Sequence, residues 1–91
     1  MSLKFTTHAT PKGSDWWAWT VRLDEPSEVR ERIREVEYVL HPTFRDRIQT
    51  MRNADDGFAL HSEGWGEFDL VANVRFVDGA EQTVIVPLKL E

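Results

Sequence analysis

Residues 68–76 read FDLVANVRF, and this stretch decides the fold. Apolar side chains recur at every second position, namely Phe68, Leu70, Ala72, Val74 and Phe76. That period of two is typical of a β-strand with one buried face. The run stops at Asp78-Gly79, a dipeptide that favours a tight turn, and resumes as Val84, Val86, Leu88 and Leu90. The two runs therefore predict a β-hairpin that closes the chain.

Working outward, a third alternating run lies nearer the N-terminus, after a polar start and a turn-prone PKGS at residues 11–14. Its buried face would carry Trp17, Trp19, Val21 and Leu23. Trp16 is adjacent to Trp17, and because neighbouring strand residues face opposite sides, one of the two is expected on the outer face.

Residues 26–40 are ambiguous, because Val29, Ile33, Val36 and Leu40 share a helical stripe while the end of the segment also alternates. The β-branched and aromatic residues of VEYVL at 36–40 favour extended structure there and leave a short helical turn at 27–32. His41-Pro42 ends that strand. Residues 44–57 are irregular and charged, which predicts a connection that crosses between two sheets.

Several short strands within 91 residues predict one all-β domain, an antiparallel sandwich. The formal charge of −5, from 16 acidic and 11 basic residues, argues against non-specific binding to nucleic acid. No stretch approaches the roughly 18 apolar residues of a membrane span, and the chain has no cysteine for disulfide or thiolate chemistry. A cytoplasmic setting is the expectation.

The usual signatures of a catalytic or metal centre are absent from the sequence. The three histidines, His8, His41 and His61, have no metal-ligand spacing, and no G-x-S-x-G elbow presents a serine nucleophile. We therefore expect no metal, no cofactor and no enzymatic activity. An enzyme that uses His41 with a nearby carboxylate is kept as a minor alternative.

Two segments combine aromatic residues with probable strand ends. They are LHPTF at residues 40–44 and EGWGEF at residues 63–68. Loops at one end of a sandwich are natural places for a binding site. The alternative interpretation is that Phe44 and Trp65 cap the core, since most aromatic residues serve packing.

These segments resemble motifs of the YEATS family, L-H-x-[ST]-F followed by G-[WY]-[GA]-x-F. The likeness covers residues 16–90, and it implies a single YEATS-like domain over residues 1–91 of the compact bacterial type. It also implies an immunoglobulin-like sandwich of about seven to eight strands, with a strand that ends at Leu40.

Eukaryotic members of that family read acylated lysine, whose flat amide is held between aromatic faces. The resemblance implies that Phe44 and Trp65 stack on the amide, that Thr43 supplies a hydroxyl, and that the backbone near Trp65 supplies an N–H. It further implies that His41 shapes the pocket and that Gly64 and Gly66 permit close approach. The chain departs from the eukaryotic pattern at residues 11–14, where it lacks the additional aromatic residue before the first strand.

The second hypothesis is a structural or protein-interaction module that does not bind acyl-lysine. In that case a protein partner or a second copy would dock through Trp16 or through a sheet edge.

Overall fold

The computed structural model describes residues 3–88 and is almost entirely β, with two antiparallel sheets packed face to face. This confirms the predicted sandwich. The seven strands are β1 Phe5–Gly13, β2 Trp16–Leu23, β3 Ile33–Val39, β4 Ile48–Met51, β5 Leu60–Gly64, β6 Asp69–Phe76 and β7 Glu81–Pro87. A single helical turn, α1 (Ser27–Arg30), precedes β3, and a 3-10 turn (Ala54–Asp56) precedes β5.

The three-stranded sheet has the order β1-β2-β5. Strand β1 occupies the segment that the sequence analysis treated only as a polar start, so this strand was not predicted. The alternation is hard to read in β1, because Pro11 interrupts it and the ladder to β2 shifts register between Pro11 and Gly13. The turn that follows places Asp15 at φ 57°, a left-handed conformation that aspartate tolerates better than most residues.

The four-stranded sheet has the order β4-β3-β6-β7. The β6–β7 hairpin turns at Asp78-Gly79 as predicted, and Gly79 supplies the required positive φ of 94°. Strand β3 ends at Val39, one residue before the expected end. The irregular connection contains a strand that the sequence did not predict, β4, and the chain crosses to the other sheet only after it.

The core lies between the sheets, where the inward residues of each strand meet. Alternation selects them as predicted: Trp19, Val21 and Leu23 come from β2, and Leu70, Ala72 and Val74 come from β6. Leu90, which was expected to continue the β7 pattern, lies outside the described residues.

Gly57 fixes the chain where it enters the three-stranded sheet. Its φ is 74°, and a Cβ there would lie 2.6 Å from the carbonyl oxygen of Leu23, which other residues could not tolerate. The Gly57 carbonyl accepts a hydrogen bond from the Leu23 N–H at 2.8 Å, so this approach locks the loop to β2.

The outer face of the four-stranded sheet is arranged in cross-strand rows. One row carries Arg75, which contacts Glu35 at 2.7 Å and Glu37 at 3.2 Å. Another row, which we call the aliphatic row, consists of Ile48, Val39, Val71 and Ile85, one residue from each strand. Its two end members are more than half exposed.

None of the helices within residues 3–88 is long and apolar enough to cross a bilayer.

Candidate functional site

The loop after β3 forms the first half of the site. Leu40 is buried and its N–H donates to the Arg47 carbonyl at 2.6 Å, which holds the base of the loop closed. Beyond it the chain reverses in a tight turn, in which the Phe44 N–H donates to the His41 carbonyl at 2.9 Å. This turn displays the His41 and Thr43 side chains at the surface.

Within that turn, His41 Nδ1 lies 2.9 Å from Thr43 Oγ1 and accepts the Thr43 backbone N–H at 3.2 Å. A backbone N–H can only donate, so Nδ1 acts as an acceptor and the imidazole proton belongs on Nε2. The Thr43 hydroxyl then donates to the same Nδ1. Its oxygen consequently keeps lone pairs that can accept a ligand N–H.

Phe44 joins the site to the core. Its ring packs edge-on against Trp19, with 6.2 Å between centroids, and tilts against Phe68 at 5.4 Å. Phe68 also meets the His41 ring, at 5.9 Å. These contacts fix the orientation of Phe44, which is half-buried, and leave part of it facing outward.

Trp65 lies in the bend between β5 and β6 and, unlike Phe44, does not pack against the core. Its side chain is 62% exposed, and within residues 3–88 no ring packs against it. The preceding Gly64 is buried against Phe44 and Trp19. Trp65 therefore projects from a firmly packed base while its own ring remains accessible.

Two cavities meet at these rings. The smaller, of about 40 Å³, is lined by His41, Thr43, Phe44, Trp65, Gly66, Glu67 and Phe68. The larger, of about 190 Å³, is lined by Trp16, Thr43, Phe44, Arg45, Glu63, Gly64 and Trp65. Three residues, Thr43, Phe44 and Trp65, are walls of both. We call these the inner and the outer compartment respectively.

The structure thus brings the two sequence segments together. Five of the six residues selected from the sequence line the inner compartment, and the sixth, Gly64, lines the outer one. The core-capping alternative describes Phe44 in part, since it packs against the core. It does not describe Trp65, which is exposed and lies outside the hydrophobic core and the residues packed on it.

Sequence reasoning left five residues of the two compartments out of the site, namely Trp16, Arg45, Glu63, Glu67 and Phe68. Phe68 was assigned only to the buried face of its strand, although it is the last residue of the second motif. Trp16 and Glu63 are 47 positions apart, and only the β2–β5 pairing places them side by side, with the indole Nε1–H donating to Glu63 Oε1 at 2.8 Å. The sequence signal that could have found this pair is the position of Trp16 on the outward face of its strand.

The histidines do not converge. Thr20 pairs with both His8 and His61 on the outer face of the three-stranded sheet, whereas His41 lies in the loop after β3. Thr20 Oγ1 contacts His61 Nδ1 at 2.9 Å. Among residues 3–88 no three His, Asp or Glu side chains form a group that could hold a metal ion.

Known proteins resemble this chain in sequence. The protein AF-9 homolog of Saccharomyces cerevisiae is 30% identical over 69 residues, which is 76% of this chain and 30% of that protein. The homolog from Eremothecium gossypii is 29% identical over 69 residues, which is 76% of this chain and 32% of that protein. The chain therefore spans about a third of the length of these relatives.

Solved structures resemble it in fold. The Yaf9 YEATS domain recognising an H3K122suc peptide matches with a TM-score of 0.76 at 23% identity, over 98% of this chain and 69% of that one. The Yaf9 YEATS domain bound to H3K27ac matches with a TM-score of 0.76 at 22% identity over the same shares. At this identity the likeness shows the shared sandwich. A sequence model described as pYEATS, the prokaryotic YEATS domain, matches residues 17–89, and the chain belongs to that family.

Proposed function

We propose that this chain is a non-catalytic reader that binds an acylated lysine side chain between Phe44 and Trp65. The observation that carries the proposal is an exposed, unpacked Trp65 beside a half-buried Phe44 that the core holds in place. A planar amide gains from contact with two aromatic faces, and acylation removes the lysine charge that would oppose its burial.

The polar atoms of the amide have partners in the same place. Thr43 Oγ1, oriented by His41, accepts the amide N–H, and a backbone N–H near Trp65 donates to the acyl oxygen. Similarity supports the same ligand class, since the Yaf9 YEATS domain recognises an H3K122suc peptide in one structure and is bound to H3K27ac in another. The natural partner in this proposal is an acylated protein or peptide.

The four tryptophans make the test direct, because their indole N–H groups give four separate signals in a spectrum of ¹⁵N-labelled protein. Trp65→Phe assigns the signal of interest. We expect acetyl-lysine and crotonyl-lysine peptides to shift the Trp65 signal with affinities on the order of micromolar, because few ligand atoms are engaged. An absent shift at millimolar peptide, or an equal shift with unmodified lysine, would exclude the reader function.

A protein-interaction module is the second candidate, and the aliphatic row favours it. Ile48 and Ile85 are 57% and 56% exposed, and the order Ile-Val-Val-Ile reads the same from either edge of the sheet. A second copy related by a two-fold axis would therefore meet the same surface. Light scattering over a concentration series tests this: a dimer that Ile85→Thr abolishes supports the module, and a monomer at every concentration rejects it.

A further inference from the structure

The outer face of the four-stranded sheet carries two further rows of side chains beside the aliphatic row. The polar row consists of Thr50, Glu37, Asn73 and Thr83, and the charged row consists of Arg52, Glu35, Arg75 and Glu81. Strand pairing sets the order within each row. Arg52, which directly follows β4, joins the charged row through its contact with Glu35 at 3.2 Å. All three rows therefore run from the β4 edge of the sheet to the β7 edge.

The charges of the charged row alternate in sign, in the order arginine, glutamate, arginine, glutamate. Read from the opposite edge of the sheet, every position has the opposite charge. A second copy reverses the row in this way when it is turned over about a two-fold axis that lies against the face, parallel to the strands and between β3 and β6. Arg52 then faces Glu81 of the second copy, and Glu35 faces Arg75 of the second copy.

The other two rows match under the same operation. In the aliphatic row, isoleucine meets isoleucine and valine meets valine. In the polar row, Thr50 meets Thr83, and the Glu37 carboxylate meets the side-chain amide of Asn73, a group with two N–H donors. Within the three rows, like charges do not meet and apolar side chains meet only apolar ones.

Other two-fold arrangements of the same face do not match. An axis along the polar row sets Glu37 against Glu37 and the aliphatic row against the charged row. An axis along the aliphatic row leaves the charged row of each copy beyond the end of the contact, without a counterpart. The pattern therefore favours one orientation, in which equivalent strands of the two copies run in the same direction. Packed sheets cross at about 30°, an offset that long arginine and glutamate side chains can span.

The rows contribute to such a contact in different ways. The aliphatic row supplies the attraction, because its end members are more than half exposed in the single chain. Exposed ion pairs add little free energy but penalise wrong pairings, so the charged row supplies the orientation. Four strands about 4.8 Å apart and three rows about 7 Å apart give a face of roughly 400 Å² on each copy, against roughly 800 Å² in a stable complex. The dimer should therefore be weak, with a Kd on the order of 100 µM.

From these observations we propose that two copies of this chain pair through the three rows, about a two-fold axis parallel to β3 and β6, with Arg52 against Glu81 and Glu35 against Arg75. The inference rests on the second candidate function, the protein-interaction module, and is independent of acyl-lysine binding. Because the axis runs along the strands, the loop after β3 lies at the same end of the dimer in both copies. The two candidate sites therefore open towards one side, at least about 20 Å apart across the paired sheets.

The experiment measures self-association by sedimentation and light scattering, from about 10 µM to about 1 mM protein. Arg52→Glu sets a carboxylate against Glu81 of the second copy, and Glu81→Arg sets a guanidinium against Arg52. Symmetry makes each repulsion occur twice, so either variant should weaken the dimer about tenfold or more. Both side chains are more than half exposed, and the native indole signals check that each variant folds.

An equal mixture of the two variants is the decisive sample. In a mixed dimer the glutamate introduced at position 52 faces the arginine introduced at position 81, and the second contact keeps Arg52 against Glu81. Association should therefore return to about the wild-type level. A folding defect cannot produce this rescue, because each chain carries the same substitution with and without its partner. Arg22→Glu is the matched control: it makes the same change of charge on the other sheet and should leave the dimer intact.

A wild-type protein that stays monomeric up to about 1 mM overturns the proposal and the protein-interaction module with it. A dimer that Ile85→Thr abolishes but neither charge reversal weakens keeps the module and overturns the proposed pairing. A mixture that stays monomeric although the wild type dimerises overturns the pairing as well. Each of these results leaves the reader function untouched.

Discussion

Gly64 and Phe44 are so close that a Cβ on Gly64 would lie 3.3 Å from Phe44 Cζ. Gly64 is the last residue of β5, and it pairs with Trp17 in the ladder of the three-stranded sheet. Phe44 belongs to the loop that follows the opposite sheet. The missing side chain of one element thus sets the position of an aromatic ring on the other.

Gly64→Ala should therefore act on the site more than on the fold. The added methyl must displace Phe44 by a few tenths of an ångström, which alters the gap to Trp65. Overpacking costs about 1–3 kcal/mol, and replacing a strand glycine by alanine regains about 0.5–1 kcal/mol. We expect a modest fall in the free energy of unfolding and about a tenfold loss of acyl-lysine affinity, the equivalent of about 1.4 kcal/mol, measured by denaturant titration and calorimetry.

Gly66→Ala is the control for that substitution, since a Cβ there meets no atom within 4 Å. Its stability should match the wild type. A Gly64→Ala protein that keeps the wild-type affinity would show that displacement of Phe44 does not reach the pocket.

Substitutions of the two proposed walls, Phe44 and Trp65, should differ in their effects on stability. Trp65→Ala removes an exposed ring and should change the free energy of unfolding by no more than about 0.5 kcal/mol while abolishing peptide binding. Phe44→Ala also removes contacts with Trp19 and Phe68 and should cost about 2 kcal/mol, less than the about 3–5 kcal/mol of a fully buried phenylalanine. Thermal and chemical unfolding measure both. A Trp65→Ala protein as destabilised as Phe44→Ala would mean that Trp65 serves packing.

Local patterns explain what the sequence predicted of the fold. The β6–β7 hairpin was legible because both strands alternate clearly and Asp78-Gly79 has the right turn chemistry. Strand β4 was not, since four residues between charged neighbours acquire their structure by pairing with β3. The helical stripe in residues 26–40 was a similar obstacle, because the extended form wins only by burying Val36 and Tyr38 between the sheets.

The candidate site likewise has one part that local sequence patterns predict and one part that they do not. The residues of the inner compartment come from two contiguous motifs, so reading each motif selected five of them and left out Glu67 and Phe68. The outer compartment depends on the register of β2 against β5, which pairs Trp17 with Gly64 and so brings Trp16 beside Glu63. No local pattern encodes that register.

Acid should lower the free energy of unfolding through the charges around Arg75. A hydrogen bond from Arg75 lowers the pKa of Glu35. The pKa of Glu37 is lowered mainly by a hydrogen bond from Asn73 and secondly by one from Arg75. A carboxyl with a lower pKa in the folded state binds fewer protons there, so its stabilisation is present above the ordinary glutamate pKa of about 4.3 and is lost as the pH falls below it. Unfolding midpoints measured from pH 7 to pH 3 should show this loss.

Arg75→Gln isolates the effect. The variant should be less stable than the wild type at pH 7, and the difference should narrow as the pH falls below about 4. Arg52→Gln should have a smaller effect, because the Arg52 side chain is 70% exposed and, among residues 3–88, its ion pair is with Glu35 alone, at 3.2 Å. A gap between wild type and Arg75→Gln that stays constant down to pH 3 would contradict the assignment.

Alkaline pH should lower the stability of the fold through Tyr38, the only tyrosine of the chain. Its hydroxyl is buried between the sheets and donates to the Phe58 carbonyl at 2.8 Å. Burial, and then the nearby Asp56 carboxylate, raise the pKa of Tyr38 above its ordinary value of about 10. The folded state therefore keeps a proton that the unfolded state releases, so the stabilisation is complete below about pH 10 and declines as the pH rises above it.

Tyr38→Phe should cost about 1–3 kcal/mol at pH 7, because the buried Phe58 carbonyl loses its donor. Lysine ionisation is common to both proteins, so the wild-type advantage should shrink above about pH 10 through Tyr38 alone. In the wild type, tyrosinate absorbance should appear together with the loss of β-sheet circular dichroism. Tyrosinate that forms near pH 10 in a protein that is still folded would mean that the hydroxyl reaches solvent and does not join the two sheets.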